Sequence, residues 1–376
     1  MWTGSVVLTL VCIGTALGLP AFSNYHNKNN QPDKDVPVIN LPGGNKDVPV
    51  INLPGENKDV YFQHMRLPLS TFVGENKVEY ACSAFRLKPN EYIVEYLPLG
   101  KRDDTYHITI SVCDAPYDDS PVWECMKPSR VCKGQKREVM YAWTNGAPGW
   151  TLPEIAGVYT GDKPKYIILQ VHGRDDISNE RAADFAHLRL KIKTTRPPLD
   201  AAIGIYSVGG FVPAHVENFT ADVACEWNMT KPSPILSYGL HTHSRGIAQS
   251  GYIVRNGEWI EIGRGDPLYP LVLFDVTDRN MWLQPGDIIA SRCTYRNTGD
   301  SQIPMGFTHL KEMCNLFLHY GVLHDSLDQT RSLSCSASAQ ESAWKVFDNI
   351  PADASDPSGD TDQARYVKQY HLTHNY

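Results

Sequence analysis

His241-Thr242-His243 is the densest cluster of reactive side chains in the sequence. On a β-strand, positions i and i+2 point to one face, so both imidazoles present their nitrogens to the same side. Two such nitrogens make a bidentate metal site, although a lone His-x-His pair is weak evidence and is more often met as solvated or hydrogen-bonded histidines. Two further features add weight. His107 and His172 each fall within or at the end of an apolar, strand-like segment, and Met313 stands beside Cys314. A thioether suits copper(I). Histidine with methionine in an oxidising compartment selects copper over zinc, whose usual ligands are His, Cys and carboxylate.

The cysteines define the compartment and the elements that must carry these ligands. Cys12 lies in an apolar leader, and the other eight fall into two groups of four. Cys82, Cys113, Cys125 and Cys132 form the first, and Cys225, Cys293, Cys314 and Cys335 the second. No CxxC pair occurs, so the even count reads as disulfides of a secreted chain, with three possible pairings in each group. Val6–Gly18 carries no charge and is shorter than the roughly 20 residues of a membrane span. It reads as the core of a signal peptide within residues 1–22, cleaved near Ala16 to Phe22. No Lys or Arg precedes it, so an uncleaved anchor is the alternative and the one route to a membrane. The expected location is the secretory pathway, in a vesicle lumen or outside the cell. Asn218-Phe-Thr and Asn228-Met-Thr are glycosylation sequons. Lys and Arg number 35 against 42 Asp and Glu, a net charge of −7 that argues against a nucleic-acid partner.

Hydrophobic content of 42% is enough for real cores, and 28 Gly with 26 Pro point to short strands and turns. Residues 23–59 form an extended linker holding a 12-residue repeat, Lys34–Asn45 and Lys46–Asn57, whose prolines block helix and central strand. Beyond it, His107-Ile-Thr-Ile-Ser-Val-Cys113, Tyr166-Ile-Ile-Leu-Gln-Val-His172, Leu188-Arg-Leu-Lys-Ile-Lys193 and Ile288-Ile-Ala-Ser-Arg-Cys-Thr-Tyr295 read as strands. Most such segments have turn residues close by, which indicates an all-β chain of antiparallel sandwiches or jelly rolls. The expected domains are 60–196 and 197–337, joined at Thr194-Thr-Arg-Pro-Pro-Leu-Asp200, where consecutive prolines stiffen the join. The Ser-, Asp- and Gln-rich tail, 338–376, is expected to be poorly ordered.

His241-Thr-His243, Ser250–Gly263, Pro285–Cys293 and Glu312-Met-Cys-Asn-Leu316 together resemble the copper type II, ascorbate-dependent monooxygenases. Met65-Arg-Leu-Pro68, Tyr141–Pro148 and Leu169-Gln-Val-His172 resemble the family's first domain in order and spacing. Val254-Arg-Asn-Gly-Glu-Trp259 is similar to its peptidylglycine α-hydroxylating branch, and the likeness covers about residues 60–336. The resemblance implies two disulfide-stapled jelly-roll domains facing each other across a solvent-filled cleft, each with one copper. It implies His241, His243 and Met313 at the oxygen-activating copper, and His107 and His172 at an electron-storing copper. Ascorbate is the implied reductant, O2 the oxidant and glycine-extended peptides the substrates. Asn315 and Gln170 match positions near the site. A separate lyase would complete amidation. The implied bridges are Cys82–Cys125, Cys113–Cys132, Cys225–Cys335 and Cys293–Cys314.

Three positions depart from that pattern. The adjacent His-His pair of the family is Tyr106-His107 here, leaving His107 and His172 as ligands. A neutral phenol is a poor ligand for copper(I), so ligand count predicts a weakened or vacant first-domain site. His64 is a nearby substitute. The arginine expected two residues before His-x-His, which pairs with a substrate carboxylate, is Gly239, and Arg245 is the candidate surrogate if the strand continues past His243. Phe317 stands where the peptide branch has tyrosine. These departures raise two alternatives: the same chemistry on a small substrate such as a phenylethylamine, or a non-catalytic copper-binding relic.

Overall fold

The computed structural model describes residues 59–67, 77–99, 105–134, 137–178, 187–306, 311–324 and 332–373. The leader and the repeat lie outside the described residues. The first half contains β1 (Val60–Arg66), β2 (Lys77–Leu87), β3 (Tyr92–Leu99), β4 (Thr105–Cys113), β5 (Trp123–Glu124), β6 (Glu138–Thr144), β7 (Trp150–Thr151), β8 (Ala156–Tyr159), β9 (Lys165–Ser178) and β10 (His187–Lys193). The second contains β11 (Leu199–Gly209), β12 (Phe211–Val212), β13 (Val216–Glu226), β14 (Ser233–Thr242), β15 (Gly246–Arg255), β16 (Glu258–Gly265), β17 (Phe274–Asp275) and β18 (Trp282–Leu283). It continues with β19 (Ile288–Asn297), β20 (Ile303–Pro304), β21 (Cys314–Val322), β22 (Ser332–Ser338) and a helix α1 (Asp362–Thr373). The expected all-β class is what the structure has.

Alternation builds the layers. In β10, Leu188, Leu190 and Ile192 are buried while the residues between them are not. They share one core with Ile108, Ile110 and Val112 of β4 and Ile167, Leu169 and Val171 of β9. The sheet β5-β2-β9-β4-β6 thus packs against the strands β1-β10-β3-β8. In the second half, β13-β19-β15-β16 packs against β11-β21-β14, with Val223, Ile289, Leu316, Leu318 and Tyr320 between them.

Among the described residues four disulfides are formed, Cys82–Cys125, Cys113–Cys132, Cys225–Cys335 and Cys293–Cys314. The first two share a small core with Trp123, Val131 and Ile168, which fixes the loop between β4 and β6. Cys293–Cys314 joins β19 to β21, hence one sheet of the second sandwich to the other.

The join between the halves is a ladder. Directly after the two prolines, Leu199 and Asp200 of β11 pair in parallel with Ala156 and Gly157 of β8, so one 11-stranded sheet runs through both halves. Apolar contacts close the seam beside it. Ala142 packs with Ile203, Leu271 and Phe317, and the Leu271 amide donates to Thr144 Oγ1 at 2.7 Å. A cavity lined from both halves remains beside these contacts, so the seam is closed only in part where the resemblance implies a solvent-filled cleft.

The tail also departs from expectation. Trp344 is wholly buried, donates from Nε1 to the Val223 carbonyl at 3.1 Å and lies 4.7 Å from the Trp259 ring. Asp362, at the start of α1, accepts from Tyr238 Oη at 2.8 Å and pairs with Arg279. Average polarity suggested a loose tail, but a few anchors decide its path: one large aromatic contributes about 2–3 kcal/mol by burial. No helix among the described residues is long and apolar enough to cross a membrane.

The seam carries a titratable group. His319 is buried against Trp150, with ring centroids 4.1 Å apart, and burial pushes its pKa down to about 3. A depressed folded-state pKa supplies stability that is present above the unfolded value near 6.5 and lost as pH falls towards 3. His319 therefore costs the fold about 1.4 kcal/mol at pH 5.5 relative to pH 8. Denaturant midpoints at the two pH values should differ accordingly, and less in His319→Phe.

Candidate metal centre

The second-domain candidate ligands are brought together by one strand pairing. β14 runs antiparallel to β21 with His241 opposite Asn315 and Thr242 opposite Cys314. Leu240 and Leu316 enter the core, so His241 and Asn315 face the opposite way, and Met313 and His243 follow at the ladder's end. The rings of His241 and His243 stand 5.2 Å apart in an edge-on arrangement. His243 Nδ1 is 2.6 Å from the Lys311 carbonyl, which can accept only a proton-bearing nitrogen. That fixes the tautomer with Nε2 as the unprotonated nitrogen. Burial, then His243, pushes the His241 pKa down to about 3, so His241 is neutral and keeps a lone pair for a metal. Asn315 Nδ2 donates to Met313 Sδ at 3.5 Å, and Tyr295 Oη donates to the Met313 carbonyl at 2.5 Å.

In the first domain, β4 and β9 pair with His107 opposite His172. Their Nδ1 atoms converge to 3.3 Å. Tyr80 stacks on His172 at 4.1 Å, and His172 Nε2 lies 2.9 Å from Glu79 Oε1, so the ring is held from both sides. Burial first, then His172, His241 and His243, hold the His107 pKa well below its ordinary value. The second-domain imidazoles therefore lie within electrostatic reach of His107. Tyr106 sits at a bulge, 38% exposed, with its ring 5.1 Å from His172.

His107, Gln170, His241, Met313, Asn315 and Phe317 all line one cavity of about 240 Å³. The donors fit copper(I): neutral imidazoles and a thioether on one side, two converging imidazoles on the other. Among the described residues no group of three or more His, Cys, Asp or Glu side chains is placed to hold a metal.

Two expected residues are placed elsewhere. Arg245 is exposed in the turn after β14, because the strand stops at Thr242 and Gly246 N bonds back to the His243 carbonyl. It does not share a face with the histidines and is absent from the cavity wall. His64 pairs with His187 at 2.7 Å, and its strand pairs with β10 in the other sheet from His107 and His172. Asn218 and Asn228 are exposed. Gly239 has its own reason: a Cβ there would meet Leu271 Cδ1 and Leu273 Cδ2 at 2.8 Å each, so these leucines fill the space an arginine would need.

Sequence reasoning missed the residues that hold the ligand backbone. Glu312 is buried and accepts from the amides of His243 at 3.1 Å and Arg245 at 2.8 Å. Burial raises its pKa to about 7, opposed by those amides. Gln249 Oε1 accepts from the His241 amide at 2.8 Å, on the side of β14 that no strand covers there. Glu312 adjoins Met313 in sequence, but nothing there signals a bond across the sheet.

Two family models match the chain, the N-terminal domain of the copper type II ascorbate-dependent monooxygenases over residues 65–177 and the C-terminal domain over 201–347. The chain belongs to this family of copper-dependent enzymes. The peptidyl-glycine alpha-amidating monooxygenase B of Xenopus laevis is 34% identical over 287 residues, 74% of this chain and 31% of the relative. The peptidylglycine alpha-amidating monooxygenase of Rattus norvegicus is 31% identical over 286 residues, 74% of this chain and 28% of the relative. The dopamine beta-hydroxylase of Equus caballus is 28% identical over 256 residues, 62% of this chain and 42% of the relative. The matched region thus spans about three-tenths of the length of the amidating relatives. Among solved structures, a Paenibacillus xanthan lyase aligns with 66% of the chain and 23% of its own at 10% identity and a TM-score of 0.16, too low to bear on the fold.

Removing Glu312 should loosen this end of the sheet. Glu312→Ala leaves two amides without their acceptor, at about 1–3 kcal/mol each where buried, whereas Glu312→Gln keeps a carbonyl acceptor. Calorimetry should show the larger fall in melting temperature for alanine. Replacing Cys293 and Cys314 together by serine opens a loop of 21 residues and should cost about 3 kcal/mol.

Proposed function

We propose that this chain hydroxylates the Cα of the C-terminal glycine in glycine-extended peptides, the first step of peptide amidation. The observation that carries the reading is the single cavity lined by His107 and Gln170 from the first domain and by His241, Met313 and Asn315 from the second. In this reading His241, His243 and Met313 hold the copper at which O2 reacts, and His107 and His172 hold a second, weaker one. Copper bound at these ligands supplies one-electron chemistry, with ascorbate giving two electrons and two protons while O2 yields the hydroxyl oxygen and one water.

The side chains have separate tasks. Leu271, Phe317 and Ile205 give the cavity apolar surface against which an uncharged part of a peptide can pack. Asn315 orients the Met313 thioether through its amide. The neutral state of His241 keeps a ligand lone pair available at neutral pH. Stacking on Tyr80 and the bond to Glu79 fix the His172 ring, an outer support of the kind that tunes ligand basicity. The four bridges, the leader and the exposed sequons support a secretory setting, with a separate lyase cleaving the hydroxyglycine product.

The 28% identity to a dopamine beta-hydroxylase favours a second reading, the same chemistry on a phenylethylamine. Copper-loaded protein with ascorbate and O2 should convert N-acetyl-Phe-Gly to its hydroxyglycine product in preference to phenylethylamine. His241→Ala and Met313→Ala should each lower turnover at least a hundredfold. Absence of product from either substrate, with copper bound, would leave a non-catalytic copper protein. Copper titration should give one tight and one weaker equivalent, with His107→Ala removing the weaker.

A further inference from the structure

We infer that Arg137 is the carboxylate anchor of the cavity and takes the C-terminal carboxylate of the substrate peptide. The inference rests on the proposed peptide reading and names the group that enforces it. Arg137 precedes β6 and lines the cavity together with Thr109 and Gln170. Its Nε donates to Ser111 Oγ at 3.0 Å, and one terminal nitrogen donates to Gln170 Oε1 at 3.3 Å. Both partners are neutral, and no carboxylate pairs with this guanidinium among the described residues.

That isolation sets it apart from other shielded arginines here. Arg292 meets Asp222 at 2.7 and 3.1 Å, and Arg255 meets Asp287 with two bonds of 2.7 Å. A guanidinium has five donors in a planar fork that matches a carboxylate bidentately. Arg137 leaves most of that fork for a ligand, and an unpaired charge away from water gains more from such a partner than an exposed one does. Burial lowers its pKa to about 10, which still leaves it charged at neutral pH.

The rest of the wall defines what the carboxylate is attached to. Ala142, Trp143, Ile205, Leu271 and Phe317 offer apolar surface, with His241 and Met313 in the same cavity. An acid end joined to a short, uncharged body fits that lining. A phenylethylammonium would bring a second positive charge beside Arg137 and fits it poorly. Leu271 and Leu273 deny a cation the position of Gly239, and the cavity instead carries its positive charge on the first-domain wall.

The test compares N-acetyl-Phe-Gly, its C-terminal amide and phenylethylamine as ligands of the full chain, by calorimetry without copper and by steady-state kinetics with it. Wild type should bind the acid at least tenfold tighter than the amide. Arg137→Met should erase that preference and raise KM for the acid far more than it lowers kcat, with Arg137→Lys retaining part of it. Arg137→Gln serves should the methionine variant fail to fold. Acid binding undiminished in these variants, or a wild type that does not distinguish acid from amide, overturns the anchor. A wild type that binds the acid through Arg137 yet forms no hydroxylated product overturns the proposed function and leaves the anchor standing.

Discussion

The antiparallel register of β14 on β21 is the constraint on which the candidate centre depends. His241 opposite Asn315 puts an imidazole and the amide that orients Met313 on one face, while Leu240 and Leu316 go to the core. A slip of one residue would send His241 inward and Leu240 into the cavity, exchanging an imidazole for an isobutyl group. Register here is held from three directions. Cys293–Cys314 ties β21 to the opposite sheet one residue from Met313. Glu312 binds the amides beyond His241, and Gln249 binds the amide of His241 itself. Each supports backbone more than side chain, so the imidazoles and the thioether remain available as ligands.

The two imidazole sets are built on the same plan with different completeness. In both, a strand pair delivers histidines to a face whose reverse is hydrophobic core. The second domain adds a thioether from a neighbouring strand end. The first adds Tyr80 and Glu79, which hold His172 but fill no coordination position of the soft kind copper(I) prefers. With Tyr106 at the bulge in place of an imidazole, two nitrogens converging to 3.3 Å are what this domain offers. Site strength should therefore differ between domains because of ligand number, while the scaffolding of each is equally complete.

Much of this was legible in the sequence, for reasons that also mark where legibility ends. The alternation in Leu188–Lys193 reports a half-buried strand because its period is local. His-x-His reports a shared face for the same reason. The tail was misread because Trp344 matters through Val223 and Trp259, which are remote in sequence. Arg245 was misplaced because periodicity was extended past Thr242, where the chain turns. Glu312 and Arg137 act through what lies across the fold from them, and no spacing along the chain encodes that. The partly closed seam belongs with these, since Ala142, Ile203, Leu271 and Phe317 are ordinary core residues until the two halves meet.

Partial closure of the seam gives the two imidazole sets a common environment. His107 has its protonation opposed by His241 and His243, so the three rings share one electrostatic field. Keeping several imidazoles neutral in a small space is unfavourable to protons and favourable to a soft cation, because burial penalises the charged imidazolium and a neutral ring keeps a lone pair. The same desolvation acts on a guanidinium facing the cavity, which can lose water but not its proton. A cavity of about 240 Å³ lined this way rewards a ligand that brings negative charge to one end and little bulk to the other. The seam that brings the two sandwiches into contact thus sets imidazoles, a thioether and a guanidinium around one cavity.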